Sequence, residues 1–160
     1  MKPLEKIVVI TLLAGVLAGH LRAQGLDDLV TGSALITFTL GGEQHWQFSA
    51  KEGRDGTASG QLQLVTSQTN GGKIHGSIFC VASDPQTGIA RLAAFVDRST
   101  TPLAPVGSYL VWTVQDNGPG AVDATSDLVP TNVFSATFHC SVGFSLLLLD
   151  SERGQITVHK

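Results

Sequence analysis

Side chains that alternate apolar and polar with period two recur along most of this chain, and that pattern is written by a pleated strand rather than by a helix. In ALITFTL, Ile36, Phe38 and Leu40 share one face, and in HWQFSA Trp46 and Phe48 fall together. QLQLVT alternates strictly from Gln61 to Leu64, and KIHGSIFC aligns Ile74, Gly76, Ile78 and Cys80. YLVWTV aligns Leu110, Trp112 and Val114. FSATFHCSV sets Phe134, Ala136, Phe138, Cys140 and Val142 against Ser135, Thr137, His139 and Ser141. Each stretch is expected to be a half-buried strand.

Turn-rich punctuation separates these runs: GGE at 41–43, KEGRDGTASG at 51–60, NGG at 70–72, DPQTG at 84–88, TPLAPVG at 101–107, DNGPG at 116–120 and SERG at 151–154. Connections this short favour antiparallel neighbours, because a parallel pair needs a crossover of about a dozen residues or more. The expected fold is all-β, a single antiparallel meander forming a small barrel or barrel-like sandwich, closed so that no strand edge stays exposed. GFSLLLLD carries a continuous apolar run, Leu146 to Leu149, which reads as a strand buried on both faces, with a short core helix as the alternative. After a turn at Ser151 to Gly154, Gln155 to His159 is the last strand.

At the N-terminus, two lysines in MKPLEK precede a thirteen-residue apolar run, Ile7 to Gly19, and a small residue, Ala23, at a plausible cleavage point. That is the layout of a secretory signal peptide, and the run is well short of the ~20 residues a spanning helix needs. The expected division is a signal peptide at 1–23, a short leader at 24–33 and one β domain at 34–160, released into a secreted or periplasmic location with no membrane span after cleavage. No cysteine follows the run to receive a lipid. Without residues 1–23 the chain holds seven basic and twelve acidic residues, a net charge of −5. No basic patch is left to neutralise a phosphate backbone, which argues against nucleic acid as a partner.

Cys80 and Cys140 are the only cysteines, and in an oxidising compartment an even pair forms one disulfide. Both lie in the apolar register of their segments, so the bridge is expected in the core between strands distant in sequence. Two buried thiols are the alternative.

The stretch richest in possible chemistry is VQDNGPGAVDATSD, Val114 to Asp127. Asn117, Gly118, Pro119 and Gly120 are strong turn formers, and a tight reversal explains most of this composition. Asp116, Asn117, Asp123 and Asp127 are also the candidate ligands for a calcium ion, the one cofactor the residues suggest. The D-x-D-x-D-G spacing is absent, and no bidentate glutamate follows. SYLVWTVQDNGPGAVD resembles the strand-turn signature V-x-V-x-D-N-G-E-P-G-x-x-D of small secreted bacterial β modules, including those that follow choice-of-anchor segments. That family shows an earlier G-x-L-x-Y strand, loosely matched by Gly60 to Leu64, and ends in G-x-I-x-(V/I)-H, matched by Gly154, Gln155, Ile156, Thr157, Val158 and His159. The resemblance covers residues 45 to 160. Trp112 replaces the first valine, and the glutamate before the proline is missing. The resemblance implies an extracellular β domain of unassigned activity, with no catalytic residues.

Four histidines follow the signal segment, His45, His75, His139 and His159. His75 and His139 occupy polar registers of the cysteine-bearing segments, where two outward imidazoles are expected; a zinc or copper site needs three or four ligands. There is no G-x-S-x-G elbow, and the thiols are consumed by the bridge. Glu43, Glu52, Asp55 and Asp97 sit in or beside loops, where solvated charge is the default. Trp46 and Trp112 lie in apolar registers, which favours core packing over a sugar-binding platform. The expected role is therefore a non-enzymatic binding or structural module for an extracellular ligand or protein that the sequence does not name. The rivals are a calcium-stabilised module and a small enzyme with its site in the barrel mouth.

Overall fold

A computed structural model describes residues 28–37, 42–53, 55–67, 70–143 and 146–159. The signal segment, leader residues 24–27, and Phe38 and Leu40 of the first alternating run lie outside the described residues. The chain forms β1 (Asp28–Thr37), β2 (Glu43–Glu52), β3 (Ala58–Thr66), β4 (Gly72–Asp84), β5 (Ile89–Ser99), β6 (Tyr109–Gln115), β7 (Ala124–Ser126), β8 (Val129–Thr131), α1 (Val133–Ser141), β9 (Leu148–Asp150) and β10 (Arg153–His159). All strand pairings are antiparallel, in the order β10-β1-β2-β3-β4-β5-β6-β7-β9, with β8 also on β6. The fold is all-β, one meander sheet curled into a half-barrel.

Alternation places the core. The strictly alternating burial of β2 puts Gln44, Trp46, Phe48, Ala50 and Glu52 inside and their neighbours outside. Leu62 and Leu64 from β3, Leu92 from β5 and Leu110, Trp112 and Val114 from β6 join them in the interior. Trp46 and Phe48 both meet Trp112 edge-on, with ring centres 6.3 and 6.1 Å away, and both tryptophans are fully buried. The two indoles thus belong to the packing of the core, as their registers predict.

β1 starts earlier than the sequence suggests. Asp28 to Ser33, read as leader, pairs with β2 on one side and, from Leu29 onward, with β10 on the other. Val30, Ala34 and Ile36 face the core, but Gly32 interrupts their alternation and hides the strand. The glycine is needed because a Cβ there would lie 2.8 Å from the Phe48 ring.

The segment read as an alternating strand, Phe134 to Val142, is instead the helix α1. Its buried residues, Ala136, His139 and Cys140, follow the i, i+3, i+4 spacing of one helical face. Asn132 caps it, its side-chain oxygen accepting from the Ser135 N–H at 2.9 Å. The helix lies on the outer side of the sheet, where Ala136 and Cys140 pack with Ala93 of β5 and Val111 of β6 in a second, smaller cluster.

The disulfide belongs to that outer cluster. Cys80 and Cys140 are bridged, with Cα atoms 6.3 Å apart, but the link joins β4 to α1 rather than two strands in the interior. A register shift between Ile78 and Cys80 is the cause. Ile78 and Val81 both reach the inner core, while Cys80 packs with Phe79 and Ala82 on the other side.

The leucine run also differs. β9 is three residues long and half-buried, Leu147 is 79% exposed, and β9 pairs with β7 rather than with β10. Beyond β9 the chain crosses to the opposite end of the sheet: the Ser151 N–H donates to the Asp123 carbonyl, the Glu152 N–H to that of Leu35, and β10 then runs along β1.

Candidate functional site

The aspartate loop after β6 sits where the two ends of the curled sheet approach. The Asp116 N–H donates to the Gly88 carbonyl at 2.9 Å, and Asn117 Nδ2 to the Val122 carbonyl at 2.6 Å. Gly118 and Gly120 both take positive φ to make the reversal. The folded loop aims two carboxylates at β10. Asp123 is 7% exposed; its Oδ1 accepts from Asn117 N–H at 3.0 Å and its Oδ2 from the buried Ile156 N–H at 2.7 Å. Asp116 Oδ1 accepts from Gly118 N–H at 2.8 Å and Oδ2 from Val158 N–H at 3.2 Å.

Ile156 and Val158 are alternate residues of β10, so these amides lie on the edge away from β1. The carboxylates take the place of a neighbouring strand and clasp that edge. The stretches DNGPGAVD and GQITVH are therefore hydrogen-bonded to each other.

This geometry distributes the four candidate calcium ligands differently from a coordination sphere. Asp116, Asn117 and Asp123 are together, but all four carboxylate oxygens hold backbone N–H groups. Asp127 stands apart beyond β7, its Oδ1 accepting from Leu128 N–H at 2.7 Å. Among the described residues no group of three or more His, Cys, Asp or Glu side chains is placed to hold a metal ion. Melting the protein with calcium and with chelator is expected to give the same midpoint. An increase with calcium would show that the ion binds the folded state.

The mouth of the half-barrel holds a pocket of only about 70 Å³, lined by Leu64, Ile74, Leu110 and Leu128 together with Gln44 and Asp127. Desolvation holds the Asp127 carboxyl above the usual carboxylate range, against the Leu128 amide and the Gln44 side chain, which pull it down. At roughly 30 Å³ per water the space takes about two water molecules, and Asp127 is the one titratable group among those lining residues. The other acids are dispersed. Glu43 and Glu52 lie at opposite ends of β2, Asp55 is in the β2–β3 turn, and Asp97 on β5 accepts from Ser77 Oγ at 2.6 Å. Hydrogen bonds from the Thr57 hydroxyl and amide hold Asp55 below its ordinary value.

The two histidines of interest separate completely. His75 lies on β4, pairing with Gln63. His139 is fully buried in α1, its Nε2 3.0 Å from the Trp112 carbonyl and 3.4 Å from Thr113 Oγ1. Burial depresses its pKa below 6.5, the nearby Arg91 charge adds to this, and the bond to the Trp112 carbonyl opposes both. Because the folded pKa is the lower one, the unfolded chain takes up more protons as the pH drops below about 6.5. Stability is expected to be full above that pH and to decline beneath it until the folded-state pKa is passed. Denaturant unfolding at a series of pH values measures this, and His139→Gln should flatten that part of the profile while lowering stability at pH 8.

A wider concavity is elsewhere, an open trough of about 550 Å³ on the outer face of β10, β1, β2 and β3. Strand register lays its side chains in two parallel rows, Gln155–Ser33–Gln47–Gln63 and Thr157–Thr31–Ser49–Gln61. All eight are uncharged and carry a hydroxyl or an amide. The second row continues through Ser77 of β4 to Phe95 of β5 and Tyr109 of β6, whose rings meet at 5.4 Å. Sequence reading passed over this face because polar residues in alternating strands are the default solvent side. The signal was the run of uncharged positions in the middle of the face, such as Gln47 and Ser49 on β2, between Glu43 and Lys51 nearer the strand ends.

Compared with family models, with curated proteins and with solved structures, the chain matches none. Among the described residues no helix is long and apolar enough to cross a membrane.

Proposed function

We propose that this protein is a secreted or periplasmic, non-enzymatic binding module whose recognition surface is the outer face of β10, β1, β2 and β3. The observation that carries the reading is the trough of about 550 Å³, several times the volume of the mouth pocket, lined, apart from Gly32 and Phe48, by side chains that can hydrogen-bond but do not titrate. The signal-like N-terminus and the resemblance to secreted β modules agree with an extracytoplasmic setting. Catalysis by acid and base needs two groups of separated pKa held together, and the trough lining contains no titratable side chain.

Co-sedimentation of the exported protein with intact cells of its source tests this. Wild type is expected in the pellet, and Gln47→Lys/Gln61→Lys, which puts two charges in the trough, in the supernatant. Phe134→Ser, altering the 77% exposed helix residue on another surface, should sediment like wild type. Equal sedimentation of the trough variant would refute the assignment of the face.

A further inference from the structure

The chemistry of the trough narrows the ligand, given the reading of this face as the recognition surface. Its lining has no Lys, Arg, Asp, Glu or His, so a charged ligand would be desolvated there without a counter-charge, at a cost. Acidic polymers and phosphate backbones are disfavoured on that ground. Each glutamine offers two N–H donors and a carbonyl acceptor, and each serine or threonine offers one donor and an acceptor. Groups that both give and receive hydrogen bonds are complementary to other groups that do the same, above all to hydroxyls.

Spacing adds a second argument. Along either row successive side chains belong to successive strands, ~4.8 Å apart, close to the advance of one β-linked pyranose unit. A polymer lying across the strands thus meets an equivalent pair of polar side chains at every unit. An extended peptide docks by adding to a free sheet edge, whereas this site is on a face, and the edge of β10 is already held by Asp116 and Asp123. Past the trough the row reaches Phe95, 36% exposed, an apolar surface of the kind that packs against the C–H face of a sugar ring. The Ser77 hydroxyl between them is engaged with Asp97, so it acts as a spacer.

We propose that the trough binds a neutral, hydroxyl-rich carbohydrate chain laid across β10, β1, β2 and β3, with Phe95 as an apolar contact beyond the β3 end. Neutral hydrogen bonds exchanged against water contribute little each, so affinity accumulates with the number of sugar units.

Calorimetric titration of the mature protein with neutral β-linked gluco-, manno- and N-acetylglucosamine oligosaccharides of increasing length tests the proposal, with alginate and heparin as charged probes. For at least one neutral series, affinity should rise with length, level off near the six units that reach from β10 to Phe95 on β5, and stay constant as salt is raised. Gln47→Ala and Gln61→Ala, both on exposed positions that leave the core untouched, should each weaken binding about threefold to tenfold at unchanged melting temperature, as should Phe95→Ala. Binding to the charged probes alone, or neutral binding indifferent to both glutamine substitutions, overturns it. If no neutral series binds while the doubly charged trough variant still fails to sediment with cells, the carbohydrate assignment fails and the recognition surface stands. If that variant sediments normally as well, both fail.

Discussion

Replacing Asp123 with alanine is expected to destabilise the protein by about 3–5 kcal/mol, a large part of the ~5–15 kcal/mol that holds an ordinary domain together. The carboxylate accepts two backbone N–H bonds, from Asn117 and Ile156, at a position only 7% exposed. A hydrogen bond to a charged group contributes roughly 1.5–3 kcal/mol, and a buried donor left without a partner costs about 1–3 kcal/mol more. Thermal melting should drop by on the order of 10–20 °C for a domain of this size. Asp123→Asn separates hydrogen bonding from charge: the amide keeps one acceptor but turns a donor toward one of the two N–H groups, so it too is expected to destabilise. Asp116→Ala should cost less, because its bond to Val158 is longer, 3.2 Å, and only partly buried. A melting midpoint for Asp123→Ala within 2–3 °C of wild type would mean that the seam is held by something other than this loop.

Removing the disulfide should have an effect of similar size but a different character. Cys80 and Cys140 close a loop of 60 residues, and the chain-entropy relation gives roughly 4 kcal/mol for releasing it. The structural consequence is local first. A helix of nine residues is marginal by itself, and α1 is tied to the sheet by the bridge, by Ala136 against the outer cluster, and by Arg91 Nη1 donating to the Val142 carbonyl at 2.8 Å. In Cys80→Ala/Cys140→Ala the helix is expected to loosen from the sheet before the half-barrel opens. Far-UV circular dichroism should lose its small helical contribution, while the near-UV signal of Trp46 and Trp112, buried on the other side, survives to a higher temperature. Simultaneous loss of both signals at the wild-type temperature would contradict a bridge that staples the helix.

Much of the fold was legible in the sequence where one physical rule acted alone. In β2 and β3 one face is wet and one dry, and in β6 the inward residues keep the same alternation although α1 covers the outer face, so period two locates Trp46, Leu62, Leu64 and Trp112 in the core and brackets the turns. The rule failed where a second constraint competed. FSATFHCSV alternates as strictly as any strand, yet its dry face as a helix is Ala136, His139 and Cys140; Asn132, three residues before Ser135, was the local sign of a helix start. At Cys80 a bulge exchanged the two faces, and no sequence pattern marks the residue at which a register slips. Gly32 broke the alternation of β1 because the Phe48 ring fills the space where its side chain would be.

The aspartate loop divides in the same way. Its reversal could be read from Asn117, Gly118, Pro119 and Gly120, since turn chemistry is local. What the carboxylates do was not legible, because their partners lie 33 and 42 residues further along the chain. A carboxylate that accepts backbone N–H groups has the same residue type and turn context as one that holds an ion. The outer trough was hidden for a further reason: neutral residues on a solvent face acquire meaning only when strand pairing lines them up.

The clasp itself is open to direct measurement by backbone amide exchange followed by NMR. Ile156 and Val158 donate from the edge of β10 that faces away from β1, and N–H groups on a free edge exchange quickly. Engaged by Asp123 and Asp116, they should exchange as slowly as the amides of the inner strands β2 and β3, with or without calcium. In Asp123→Asn, Ile156 should lose protection well before Leu62 does. Fast exchange at Ile156 in the wild-type protein, or protection that appears only when calcium is added, would contradict a sheet whose seam is closed by its own carboxylates.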